Sequence, residues 1–243
     1  MSFFQFFRTA YSTNFSNIFL DGVDDLYDMV ARKFTANSTL VETKAEWRNV
    51  LAVRHFTPVT KDVPRGNFDD MILVTWLSEG GRKNAQFFNA NTDPSYQYSE
   101  EGAPIFRKGK GAEGQDANDD GKKDLGMLPL GVYKYNAFMS SHKVLGDVFK
   151  PTKEVRVWRD INRDGSFTQA DEELVKNEKQ MFEGGTMYIH RGYSKARKQT
   201  LNSWSAGCQT IMYEDFLIFK ESILAGNKAG QMEFTYVLVN FDG

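Results

Sequence analysis

The sequence predicts an α+β protein: a β-rich body preceded by a mainly helical N-terminal region. Three observations carry this expectation. Twenty Phe, ten Tyr and four Trp against only six Pro is a composition suited to strands bearing large packed side chains. Residues 13–35 place Phe19, Val23, Leu26, Tyr27 and Val30 at steps of three and four, with Asp21, Asp24, Asp25 and Asp28 on other faces. That spacing is the signature of an amphipathic helix. Short apolar segments of strand length then recur along the remainder of the chain.

In the first helix the acidic residues fall near the start and Arg32 and Lys33 near the end, as the helix dipole prefers. A second, shorter helix is expected over Lys44 to Val53, which makes the first sixty residues mainly helical. After Pro58 and Pro64 the texture changes. Asp70 to Leu77 is β-branched and apolar, Gly80-Gly81 supplies a turn and Asn84 to Asn89 resumes an extended pattern, which reads as a hairpin. Residues 90–125 are polar and glycine-rich. Strand-sized segments follow at Gly131 to Asn136, Glu154 to Arg159, Gly185 to His190 and Met232 to Val239. Between the last two, Tyr213 to Leu224 sets Phe216, Ile218, Phe219 and Ile223 near helical spacing. No repeat of solenoid length and no heptad pattern occurs. The expected division is a helical region over 1–62 and a β-rich domain over 63–243.

At 243 residues and 41% hydrophobic the chain can bury a sizeable core. Thirty Lys and Arg against thirty-two Asp and Glu leave a charge of −2, which removes the broad basic field that nucleic-acid binding needs. No apolar run reaches the roughly 18 residues of a membrane-spanning helix. In Met1 to Arg8 the aromatics precede the first positive charge, the reverse of a cleavable leader.

Cys208 is the single cysteine, so no intrachain disulfide forms and its thiol has other uses. Only His55, His142 and His190 can serve it as a base. His190 is the best placed: it ends the strand-like run Thr186-Met187-Tyr188-Ile189-His190 and lies eighteen positions upstream of Cys208, across a basic loop. The thiol sits in Ser203-Trp204-Ser205-Ala206-Gly207-Cys208-Gln209, where Gly207 permits close backbone approach and Ser205 a local hydrogen bond. A thiol is mostly protonated at neutral pH, and a neighbouring imidazole would accept its proton and stabilise the thiolate. Such a pair attacks carbonyls. The bland alternative is a buried structural thiol.

The order strand, His190, basic loop, Ser205-Ala206-Gly207-Cys208 resembles the L,D-transpeptidase (YkuD-like) catalytic domain. The resemblance covers residues 127–241 and includes Leu128-Pro129-Leu130-Gly131-Val132-Tyr133, similar to the strand that precedes the site in that family. It implies a cysteine enzyme of peptidoglycan stem peptides. Such an enzyme cleaves the bond before a terminal D-alanine through a cysteine acyl-enzyme and passes the acyl group to water or an amine, as carboxypeptidase or transpeptidase. Carried over residue by residue, Cys208 is the nucleophile, His190 the base, the backbone N–H groups of Gly207 and Cys208 an oxyanion site, and Ser205 a support for the loop. Arg191 stands where the family has glycine directly after histidine, and Gln209-Thr210 replaces the usual pair after cysteine. Recognition of the substrate carboxylate is then left to Arg191, Lys195, Arg197 and Lys198, with Trp204 beside the nucleophile. A bacterial wall substrate without a leader implies non-classical export to the periplasm or cell wall, by a contractile injection apparatus or phage delivery. This is the role of a secreted antibacterial effector with a secretion-machine component or an immunity protein as partner.

Catalysis by this route requires no cofactor, but a structural calcium ion is expected. Asp160-Ile161-Asn162-Arg163-Asp164-Gly165-Ser166-Phe167-Thr168-Gln169-Ala170-Asp171 puts oxygen side chains of Asp160, Asn162, Asp164, Thr168 and Asp171 at loop positions 1, 3, 5, 9 and 12, with glycine at 6. Those spacings ring a hard cation. Position 12 is the shorter Asp, and the preceding segment reads as a strand where an EF-hand has a helix. Asp116 to Asp124 repeats the opening but carries Met127 at position 12. A competing reading of the whole chain is a non-enzymatic, calcium-stiffened wall- or protein-binding module with an inert Cys208.

Overall fold

The computed structural model describes residues 22–55, 58–62, 66–183, 186–192 and 203–241. Helix α1 (Val23–Ala36) carries Asp24 and Asp25 in its first turn and Lys33 in its last. Its expected beginning, at residues 13–21, lies outside the described residues. Val30 and Phe34 are fully buried on one face and pack on Leu51, Val53, Leu73 and Val237.

The expected helix over Lys44 to Val53 is instead strand β1 (Asn49–Arg54). Every residue of β1 is buried, Val50 and Ala52 toward one apolar cluster and Leu51 and Val53 toward another. A strand covered on both faces reads as an uninterrupted apolar run, which carries no alternation to distinguish it from a helix. β1 pairs directly with β2 (Asp70–Leu77), so the expected division at 62/63 falls between two neighbouring strands of one sheet.

Strands β2 and β3 (Lys83–Asn91) form the anticipated hairpin. A two-stranded ribbon joins β4 (Gly126–Met127) to β8 (Trp158–Arg159), so of the segment 154–159 only the last two residues are strand. The remaining strands are β5 (Gly131–Asn136), β6 (Ser140–His142), β7 (Gly146–Phe149), β9 (Ile189–Arg191), β10 (Gln209–Ile211) and β11 (Glu233–Asn240). They complete a nine-stranded sheet in the order β5-β11-β1-β2-β3-β10-β9-β7-β6. Pairing is parallel at β1–β11 and at β9–β10 and antiparallel elsewhere. The sheet curls: edge strand β5 meets the chain just beyond β7 through a bridge between Tyr135 and Pro151. Short helices α2 (Ala103–Phe106) and α3 (Gln169–Leu174) sit on connections.

Helix α4 (Tyr213–Lys228) covers one sheet face. Its Phe216, Phe219 and Ile223 join Phe88, Phe149, Phe234, Ile189 and Ile211 in the main core. Phe219 meets Phe88 and Phe149 edge-on at ring separations of 5.5 and 5.6 Å, an arrangement that adds to area burial. No helix among the described residues is long and apolar enough to cross a membrane. Phe219→Ala leaves a cavity where strands from both halves of the sheet converge, and urea unfolding is expected to register a loss of about 3–5 kcal/mol.

Candidate active site

The parallel pairing of β9 with β10 sets the site. The register aligns Gln209 with Ile189, Thr210 with His190 and Ile211 with Arg191. Strand residues alternate between faces, so Ile189, Arg191 and Ile211 share the face covered by α4, and His190 and Thr210 share the other. One residue earlier, Cys208 stands beside Tyr188. The N–H of Gln209 donates to the Tyr188 carbonyl at 2.9 Å, and the Tyr188 N–H donates to the Cys208 sulfur. Cys208 itself precedes β10, in a bend, and the register brings it beside Tyr188, two residues along the chain from His190.

His190 is 3% exposed. Its Nδ1 lies 2.6 Å from the carbonyl oxygen of Arg191. A carbonyl only accepts, so Nδ1 carries the hydrogen and Nε2 is left as the basic nitrogen. Burial holds the imidazole down at about 4, against the upward pull of this hydrogen bond. Burial likewise pushes the Cys208 thiol up to about 11, with the Tyr188 N–H pulling it back. At neutral pH both groups are uncharged. The expected imidazole-stabilised thiolate is thus not the resting state: burial favours the neutral form of each group.

The turn that presents the thiol is stapled locally. The Ser205 hydroxyl accepts the Gly207 N–H at 3.0 Å and donates to the Cys208 carbonyl. Hence the Gly207 N–H, expected to serve an oxyanion, is occupied, and the Cys208 N–H is left for that task. Gly207 has φ of +128°, and a Cβ there would run into the backbone oxygen of Gly126 in β4. Only glycine lets the turn carrying Cys208 lie this close to the ribbon. Gln209 donates from Nε2 to the Gly207 carbonyl, and its Oε1 accepts from Tyr236 at 2.9 Å. Segment 203–205 is held from the other side by Ser95, whose N–H donates to the Ser205 carbonyl at 2.7 Å and whose hydroxyl accepts the Ser205 N–H.

Of the expected carboxylate-binding residues, Arg191 is turned away from the thiol. Arg191 points to the α4 face, its guanidinium 5.6 Å from the Tyr213 ring centroid; what it contributes to the site is its backbone carbonyl. Lys195, Arg197 and Lys198 lie outside the described residues. Trp204, half-buried with φ of +53°, presents its carbonyl to the Tyr98 hydroxyl.

Sequence reasoning missed several neighbours. Tyr98 is electrostatically linked to Cys208, and Arg107 lies over its ring at 4.5 Å. His142 faces Tyr188 at 5.6 Å between ring centroids and its charge acts on His190. His142 comes from β6, which pairs through β7 to β9. These contacts depend on sheet order, and the polar stretch 90–125 gave no periodic signal. The three histidines alone marked His142.

In loop 160–171, Asp171 accepts N–H groups from Ile161, Asn162 and Thr168 and forms a capping box with Thr168 at the start of α3. Two of the five anticipated cation ligands thereby hold the helix start. Among the described residues no three His, Cys, Asp or Glu side chains stand at metal-ligand spacing. Burial, then the Asp171 carboxylate, push Asp160 up to about 7. Comparison with protein-family models, with curated proteins and with solved structures finds no match, so the L,D-transpeptidase resemblance rests on the residues themselves.

Two outcomes follow from the shifted groups. Alkylation of Cys208 by iodoacetamide is expected to accelerate with pH well past the usual cysteine range and to level only near 11. Because the folded-state value of His190 lies below its ordinary one, its contribution is present above 6.5 and is lost as pH falls through about 4. Urea titrations across that window should show the native protein losing roughly 3 kcal/mol relative to His190→Gln.

Proposed function

We propose that the chain is a cysteine enzyme acting on peptidoglycan stem peptides, an L,D-carboxypeptidase or L,D-transpeptidase. The observation that carries this reading is the pairing of β9 with β10. It brings Cys208 to within two residues of His190 along the neighbouring strand, and the imidazole tautomer is fixed by the Arg191 carbonyl. Charge complementarity of a preformed ion pair plays no part.

Attack begins as the Cys208 S–H proton passes to Nε2 of His190 while the sulfur bonds to the carbonyl carbon before the terminal D-alanine. The developing oxyanion is met by the Cys208 N–H. Collapse breaks the C–N bond, His190 returns the proton to the leaving amine, and a thioester remains on Cys208. Water or an acceptor amine then attacks the thioester, His190 takes the proton of the incoming group, and the thiol is restored. A neutral starting pair suits this cycle, since no charge has to be buried before substrate arrives. On this reading the protein reaches the periplasm or wall by a dedicated export route, as an antibacterial effector would.

The competing module reading draws on one observation, the neutral, high-pKa thiol, which an inert structural cysteine would share. Incubating the purified protein with tetrapeptide and pentapeptide muropeptides, followed by mass spectrometry, separates the two. The enzyme reading expects loss of D-alanine or formation of cross-linked dimers with native protein, and a fall of at least about a thousandfold for Cys208→Ala. Unchanged muropeptides beside a correctly folded native protein contradict it.

A further inference from the structure

We propose that loop 160–171 binds one calcium ion, with Asp160 as its buried anchor and Asn162 and Asp164 as further side-chain ligands. Asp160 is only 4% exposed. One of its carboxylate oxygens reaches across the loop to accept the Gly165 N–H at 3.1 Å, so the carboxylate lies within the ring the loop describes. The other oxygen is buried with no hydrogen-bond partner among the described residues. An unmatched carboxylate oxygen in the interior is costly, and a hard cation within the loop would satisfy it.

The two aspartate-rich loops differ in how their charge is met. In loop 116–124 a cation is already present: the Arg163 guanidinium lies 2.7 Å from Asp120 and 3.1 Å from Asp124. In loop 160–171 no Lys or Arg among the described residues pairs with Asp160 or Asp164. Arg163 therefore serves the first loop and leaves the second without a cation from the described residues. Asp164 is exposed, and its oxygens meet only the Ser166 N–H and the Asn162 amide. With the Asn162 oxygen, the backbone carbonyl at the seventh loop position and water, these side chains give the all-oxygen shell of six to eight donors that calcium takes. Asp171, fixed at the start of α3, closes the loop around them and need not converge on the ion.

The position in the fold gives the ion a purpose. Loop 160–171 follows β8 directly, β8 pairs with β4, and Gly126 of β4 abuts Gly207. A calcium ion would stiffen the ribbon against which the nucleophile turn rests. The metal site itself does not depend on the enzymatic reading.

Full-length protein is titrated with calcium chloride by isothermal calorimetry, and its thermal unfolding is compared in calcium and in EDTA. The expected results are saturable binding of one ion per chain and a rise in Tm of about 5 °C or more at hundredfold excess over Kd. Asp164→Ala, at an exposed position, should lose both effects while keeping the Tm of the native protein in EDTA. Asn118→Ala, in the other loop, should keep both. No binding heat together with an unchanged Tm would overturn the proposal. So would full calcium binding by Asp164→Ala, or loss of binding in Asn118→Ala.

Discussion

Everything at the candidate site depends on one parallel contact, β9 beside β10. A parallel pair needs a crossover between its strands, and here the eighteen positions from His190 to Cys208 supply it. The connection returns the chain in register, so that the residue before β10 lies beside Tyr188 and two places from His190. Shifting that register by one residue would turn the imidazole toward α4 and the main core while leaving the thiol where it is. The core resists such a slip: Ile189 and Ile211, the immediate neighbours of the site on the opposite face, are both fully buried.

Burial also decides the chemistry. His190 is almost fully buried and Cys208 half-buried, and desolvation favours the neutral form of each. On the proposed reading the thiol is a latent nucleophile whose proton moves with the chemical step. The turn around it is correspondingly over-determined. Ser205 staples it from within, Ser95 from one side, and the Gly207–Gly126 contact from behind.

Much of this was legible in the chain. The Cys208 and His190 pairing was suggested by the scarcity of partners and by Gly207, and the β9–β10 register brings the two segments side by side. The hairpin of β2 and β3 and the aromatic face of α4 were plain because their periodicities are those of elements with one buried side. β1 was misread for the opposite reason, being apolar toward both faces. Arg191 looked like a substrate ligand because charge in a loop after a catalytic histidine suggests one; strand alternation, invisible without the pairing, turns its side chain away. Asp171 looked like the closing calcium ligand by spacing, but the same spacing after Thr168 makes a capping box, and the helix claims it. Tyr98 and His142 reach the site through connections that no local pattern encodes.

The most direct measurement is the intact mass of the protein after brief exposure to a tetrapeptide stem and quenching in acid. Proton transfer from Cys208 to His190 predicts a covalent adduct equal to the stem peptide less its terminal D-alanine, mapped to the peptide containing Cys208 and absent from His190→Gln. An adduct of equal yield in His190→Gln, or one on any other residue, would contradict the account.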